Sequence, residues 1–117
     1  MVSCAMKDMR PKIITMCGSL KFQDEHMRQA QMLELEGNLV ISCVYPPPES
    51  KKENYTKEQL DVLAKLHYAK IDLSDAIFVV NVGGYIGKST RSEIEYAEAC
   101  EKEIIWLEGI NEHKRTQ

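Results

Sequence analysis

The four cysteines of this 117-residue chain, Cys4, Cys17, Cys43 and Cys100, form no C-x-x-C pair. That absence removes the common zinc and dithiol redox motifs. Two of the four lie inside apolar runs and read as small buried hydrophobes. The histidines are few, and neither His26 nor His113 has a partner at metal-ligand spacing, so no metal and no cofactor is expected. No apolar run approaches the ~18 residues that cross a bilayer, and residues 1–11 lack the apolar stretch of a secretory signal. A cytoplasmic, reduced setting without a membrane partner is expected. Basic excess is missing as well: the net charge is -3 and the isoelectric point about 5.6. A broad face for a nucleic-acid polymer is thereby excluded, and any phosphate bound should be on a small molecule. There is no internal repeat and no low-complexity segment.

What remains is ordinary for a soluble globular chain, with 44% hydrophobic and 28% charged residues. The length predicts one domain over residues 1–117, with 1–11 and 109–117 as flexible ends. Residues 12–17, KIITMC, form an apolar, β-branched run that predicts a buried strand ending at Gly18-Ser19. A helix follows from about Asp24 to Glu36, stopped by Gly37. NLVISCVY predicts a second strand, closed by Pro46-Pro47-Pro48 and an exposed loop over 46–55 whose charge run at 49–53 reads as a solvated surface. Thr56 and Gln59 make a capping box for the longest helix, whose stripe carries Leu60, Leu63, Ala64, His67 and Ile71. AIFVVNV at 76–82 is a third strand, a helix runs from about Thr90 to Glu101, and EIIWL is a fourth strand.

Short all-apolar strands alternating with helices predict an α/β three-layer sandwich, a doubly wound, Rossmann-like parallel sheet of four or five strands in the order 2-1-3-4. Ligands of such sheets bind where the winding reverses, outside the carboxyl ends of the strands. The loops there are Cys17-Gly18-Ser19 and residues 83–93.

The second loop reads GGYIGKST. It misses the nucleotide-binding P-loop, because Val82 stands where the first glycine is required. No acidic residue ends a neighbouring strand to hold magnesium, which disfavours a phosphate-transferring ATPase. A glycine turn with Lys88, Ser89 and Thr90 at a helix start is nonetheless suited to an anion, with Gly83, Gly84, Gly87, Lys88 and Ser89 as one wall and Gly18 and Ser19 as the other. The plainer alternative is a turn with a hydroxyl cap. Glu93 likewise has two readings. It is either the far end of a Thr90-to-Glu93 capping box or a carboxylate facing the crevice beside a phosphate cradle, placed to attack an electrophilic carbon. His67 is either a satisfied core residue or an acid-base group. Asp72 and Asp75, at a helix C-terminus that disfavours them, and Asn81 are candidate supporting residues. Tyr45 and Tyr55 flank the proline loop, either as a lid over the crevice or as packing.

The succession C-G-S, D-L-S-D-A, glycine loop and S-E-I-E-Y-A, spread over residues 12–107, resembles the nucleoside 2-deoxyribosyltransferase superfamily, including its small nucleotide N-glycosidases. The resemblance implies a nucleophile at Glu93, in the segment Glu93-Ile94-Glu95-Tyr96-Ala97, that attacks the anomeric carbon of a 2-deoxyribosyl group. It implies sugar or phosphate contacts at Gly18 and Ser19, and a 5′-phosphate held by Gly87, Lys88 and Ser89. Two departures stand out. His67 is the nearest match by spacing to the family's helix aspartate, so either it takes over that role or the proton comes from elsewhere, and Glu95 replaces a small residue. The resemblance further implies homo-oligomers and a nucleoside or nucleotide as ligand. The reading it supports is cleavage or transfer of an N-glycosidic bond, with His67 protonating the leaving base. The alternative is a non-catalytic nucleotide-binding module in which Glu93 is only a cap.

Overall fold

A computed structural model describes residues 10–47 and 54–109. The expectations for the flexible ends, the 49–53 charge run, Cys4 and His113 fall outside those residues in whole or large part.

Four strands are described, β1 (Ile13–Cys17), β2 (Leu39–Ile41), β3 (Ala76–Val79) and β4 (Glu103–Trp106), with three helices, α1 (Gln23–Leu35), α2 (Lys57–Asp72) and α3 (Lys88–Ala99). The strands form one all-parallel sheet in the order β2-β1-β3-β4. This is the doubly wound α/β arrangement that the alternation of apolar runs predicts. No fifth strand occurs among the described residues.

Strand alternation sends successive side chains to opposite faces, and the two apolar clusters follow that parity. Ile14 and Met16 of β1 join Ala76, Phe78 and Val80 under Ala30 and Leu33 of α1. Cys17 joins Ile77 and Val79 under Ile71 of α2 and Ile94 and Ala97 of α3. Each fully buried Ile, Met or Val contributes roughly 1.5–3 kcal/mol relative to exposure. The edge strands are shorter or wetter than their sequence suggests: β2 keeps only three residues of NLVISCVY, and Leu39 is 43% exposed.

The helix ends explain their own positions. Thr56 Oγ1 accepts from Gln59 N at 3.0 Å and Gln59 Oε1 accepts from Thr56 N at 2.9 Å, the predicted reciprocal cap of α2. Gly37, at φ 98°, ends α1, with Asn38 N donating to the Leu33 carbonyl. α3 closes the same way, Lys102 N donating to the Ala97 carbonyl, but the left-handed position is occupied by Glu101 at φ 59°.

Candidate functional site

Cys17 ends β1 on the face that α2 and α3 cover. Its Sγ lies 3.3 Å from Nε2 of His67 on α2, and the same Nε2 lies 3.5 Å from Oε1 of Glu93 on α3. Three chain elements thus meet at one point just inside the carboxyl edge of the sheet.

The position of Glu93 follows from where α3 begins. Its N-cap is Gly87, so Thr90 sits within the first turn and is buried rather than capping. The Thr90-to-Glu93 capping box therefore does not form. Thr90, Glu93, Ile94 and Ala97 share one inward stripe by their spacing of three and four. His67 shares its stripe with buried Ile71. The outer turns of α2 do not pack as the stripe suggests, since Val62, Leu63 and Leu66 remain exposed.

His67 and Glu93 have the geometry of an ion pair, yet burial drives each toward its neutral form. It lowers His67 to about 4, with Lys70 and His26 adding to the effect. It raises Glu93 to about 7, partly opposed by the hydrogen bond from Cys17. The Cys17 thiol itself is pushed up, first by burial and then by the Glu93 charge. At neutral pH the trio is a thiol, a neutral imidazole and a carboxyl group close to its midpoint.

The two loops at the winding reversal converge. Val80 N donates to the Cys17 carbonyl at 2.8 Å, and Lys21 Nζ sits 3.5 Å from the centroid of the Tyr85 ring, which Phe22 meets edge to face. Gly18, at φ 134°, is required here, because a Cβ would stand 2.8 Å from the Val80 oxygen. Ser19 caps the 3-10 turn at Leu20–Phe22 by accepting from Lys21 N.

The glycine loop is only in part a free cradle. Gly83 N donates to Glu108 Oε2 at 2.8 Å, and Gly84 N donates to the Asn81 carbonyl at 2.8 Å. Those two amides are engaged within the chain, so of the expected cradle only Gly87, Lys88 and Ser89, at the start of α3, are not tied up in this way. No side chain caps α3 there, and the first amides of a helix have no intrahelical partner. Asn81 is fully buried and exchanges two hydrogen bonds with the Glu108 backbone, bracing the loop.

Asp72 and Asp75 are not brought to the trio. Both lie at the amino edge of the sheet, where Asp72 accepts from Tyr96 and Asp75 accepts from Ile13 N and pairs with Arg10. Tyr45 packs edge to face on His26, itself fully buried. His26 Nε2 contacts the Ser19 carbonyl at 3.2 Å, while the buried Tyr45 hydroxyl has no hydrogen-bond partner among the described residues. An open groove of about 470 Å³ lies beside the 3-10 turn, lined by Lys21, Asp24, Arg28 and Val82 among others, and its walls do not include the trio.

No protein-family model matches the chain, and no curated protein matches it. A solved structure that it does resemble is the crystal structure of a conserved protein from Enterococcus faecalis V583. The TM-score is 0.55 at 13% identity, covering 91% of this chain and 72% of that one. The likeness is one of α/β Rossmann-like fold. Among the described residues, no helix is long and apolar enough to cross a membrane.

Proposed function

We propose that this protein cleaves or transfers the N-glycosidic bond of a 2-deoxyribonucleoside or its 5′-monophosphate, with Glu93 as nucleophile. The observation that carries the reading is the contact of Glu93 Oε1 with His67 Nε2 on the inward faces of two helices, at the crevice where doubly wound sheets bind ligands. The resemblance of the C-G-S and S-E-I-E-Y-A segments to the 2-deoxyribosyltransferases supports it.

The pair would act with one proton between its two groups. Transfer of that proton from Glu93 to His67 produces a carboxylate and an imidazolium without changing the charge of the pair. The carboxylate attacks the anomeric carbon as the C–N bond breaks, and the bond's electrons leave with the base, which takes the proton from His67. Water or a second base then attacks the glycosyl ester and returns a proton to His67, which restores the carboxylate. Glu93 stands five residues after Lys88, about 7–8 Å along the helix axis at 1.5 Å per residue, a separation that a deoxyribose 5′-phosphate can bridge. The first turn of α3 is where the phosphate would sit. Pairing of two copies through the exposed Val62, Leu63 and Leu66 belongs to the same reading.

Chromatography of deoxynucleoside monophosphates incubated with the protein tests the proposal. Free base is expected with the unaltered protein and not with Glu93→Ala. Ligand-induced thermal stabilisation that persists in Glu93→Gln, without turnover in either protein, favours the binding module instead.

A further inference from the structure

The sulfur of Cys17, Nε2 of His67 and Oε1 of Glu93 all lie within 4.8 Å of one another. A nucleophilic thiol relay places its cysteine and its carboxylate on opposite nitrogens of the imidazole. Here both face the same nitrogen, at 3.3 and 3.5 Å. That arrangement does not pass a proton along a line. It points three unlike donors at one centre.

Metal-ligand bonds of about 2.0–2.3 Å in a tetrahedral site hold neighbouring donor atoms roughly 3.3–3.8 Å apart. Two of the three separations already fall in that range. We infer that Cys17, His67 and Glu93 form a binding site for a borderline-soft divalent cation of the zinc class, with a fourth coordination position open to the crevice.

The donor set selects the ion. Thiolate with imidazole suits zinc or cobalt and is a poor match for magnesium or calcium, which take oxygen. The three donors stand on a strand and two helices rather than on loops, so each is held by packed neighbours: Cys17 beside Val79 across the sheet, His67 above Ile71, and Glu93 between Thr90 and Ala97. Access is graded. Cys17 is fully buried, whereas the side chains of His67 and Glu93 keep 12% and 17% of their exposure. An ion would enter past the latter two and seat on the sulfur. Two negative ligands would balance its charge once the thiol proton is released. Sequence spacing carries no sign of this site, because positions 17, 67 and 93 belong to three separate elements.

The binding itself is independent of the glycosidase reading. Its consequence for turnover rests on that reading: a Glu93 carboxylate committed to the metal is unavailable to attack carbon, so zinc inhibits.

The experiment is a Co²⁺ titration of the reduced, chelator-treated full chain, followed by absorbance, with Zn²⁺ then competing against a chromophoric chelator. One metal per chain and a thiolate-to-cobalt charge-transfer band are expected. The band should vanish in Cys17→Ser and persist in a Cys43→Ala, Cys100→Ala double variant. His67→Ala and Glu93→Gln should each weaken affinity about tenfold or more. Circular dichroism confirms that each variant is folded; if Cys17→Ser is not, the His67→Ala affinity decides. Absence of the band in the unaltered protein, or equal affinity in the variants, overturns the site. No nucleotide is present in this titration and no metal in a chelated base-release assay, so either idea can fail alone. If both hold, excess zinc lowers base release at least tenfold, and chelator restores it.

Discussion

Glu93 Oε1 and His67 Nε2 lie 3.5 Å apart, both largely withdrawn from water, and join α3 to α2. Burial favours the neutral form of each.

The first prediction concerns rate against pH. With two protons the pair has no nucleophile, and with none it has no acid. Base release measured in chelator should form a bell with limbs near pH 4 and pH 7, set by His67 lowered to about 4 and Glu93 raised to about 7. A rate that keeps rising from pH 7 to 9 would remove His67 from the role of acid.

Stability against pH gives a second. Glu93, raised from 4.5 to about 7, contributes stability that is fully present below pH 4.5 and lost as pH rises through 7. His67, lowered from 6.5 to about 4, contributes stability present above pH 6.5 and lost as pH falls through 4. Between pH 4.5 and 6.5 the two slopes oppose and nearly cancel. Glu93→Gln removes one of them, so its denaturant midpoint should climb more steeply from pH 4.5 to 6.5 than that of the unaltered protein, buried His26 adding the same upward slope to both. Parallel curves for the two proteins would refute the opposed titrations.

The proposed phosphate contact of Lys88 supplies a third. Lys88→Ala should weaken binding of a deoxynucleoside monophosphate by roughly 1.5–3 kcal/mol, about 10- to 150-fold, the range for a charge-assisted hydrogen bond. Binding of the unphosphorylated nucleoside should be unchanged. Calorimetry with the two ligands makes the comparison, and equal losses for both would place Lys88 outside a phosphate site.

The buried Tyr45 hydroxyl has no partner among the described residues, and an unpaired buried polar group costs stability. Tyr45→Phe should therefore leave the free protein equally stable or about 1 kcal/mol more stable by chemical denaturation. A loss above 1 kcal/mol would mean that the hydroxyl is satisfied after all.

Glu101 is an exposed, non-glycine residue at φ 59°. A left-handed conformation costs an L-residue about 1–2 kcal/mol, offset in part by the greater freedom glycine has when unfolded. Glu101→Gly should raise thermal stability by about 0.5–1 kcal/mol. A decrease would show that the glutamate side chain compensates for its backbone.

The sheet order was legible in the chain because every strand is a short apolar run and the segments between them carry helical spacing. The capping box at Thr56 and the stop at Gly37 were legible for the same reason: local chemistry decides them. Boundaries that depend on tertiary contact were not. The start of α3 at Gly87 rather than near Thr90 reflects burial of Thr90 against the sheet, and it turns Glu93 from a cap into an inward carboxylate. Cys17 read as a core hydrophobe, and it is one. Its contact with His67 depends on strand parity together with the rotation of α2, which no pairwise spacing contains. The tie between Gly83 and Glu108 spans 25 residues and two elements, beyond the reach of a motif.

Where a side chain on residue 18 would begin, the Val80 oxygen already stands 2.8 Å away. At that point β1 and β3 leave the sheet peptide against peptide, with no room for a side chain between them. Change at this point of the molecule therefore has to come from the side chains around it, because the contour between residues 18 and 80 is set by backbone alone.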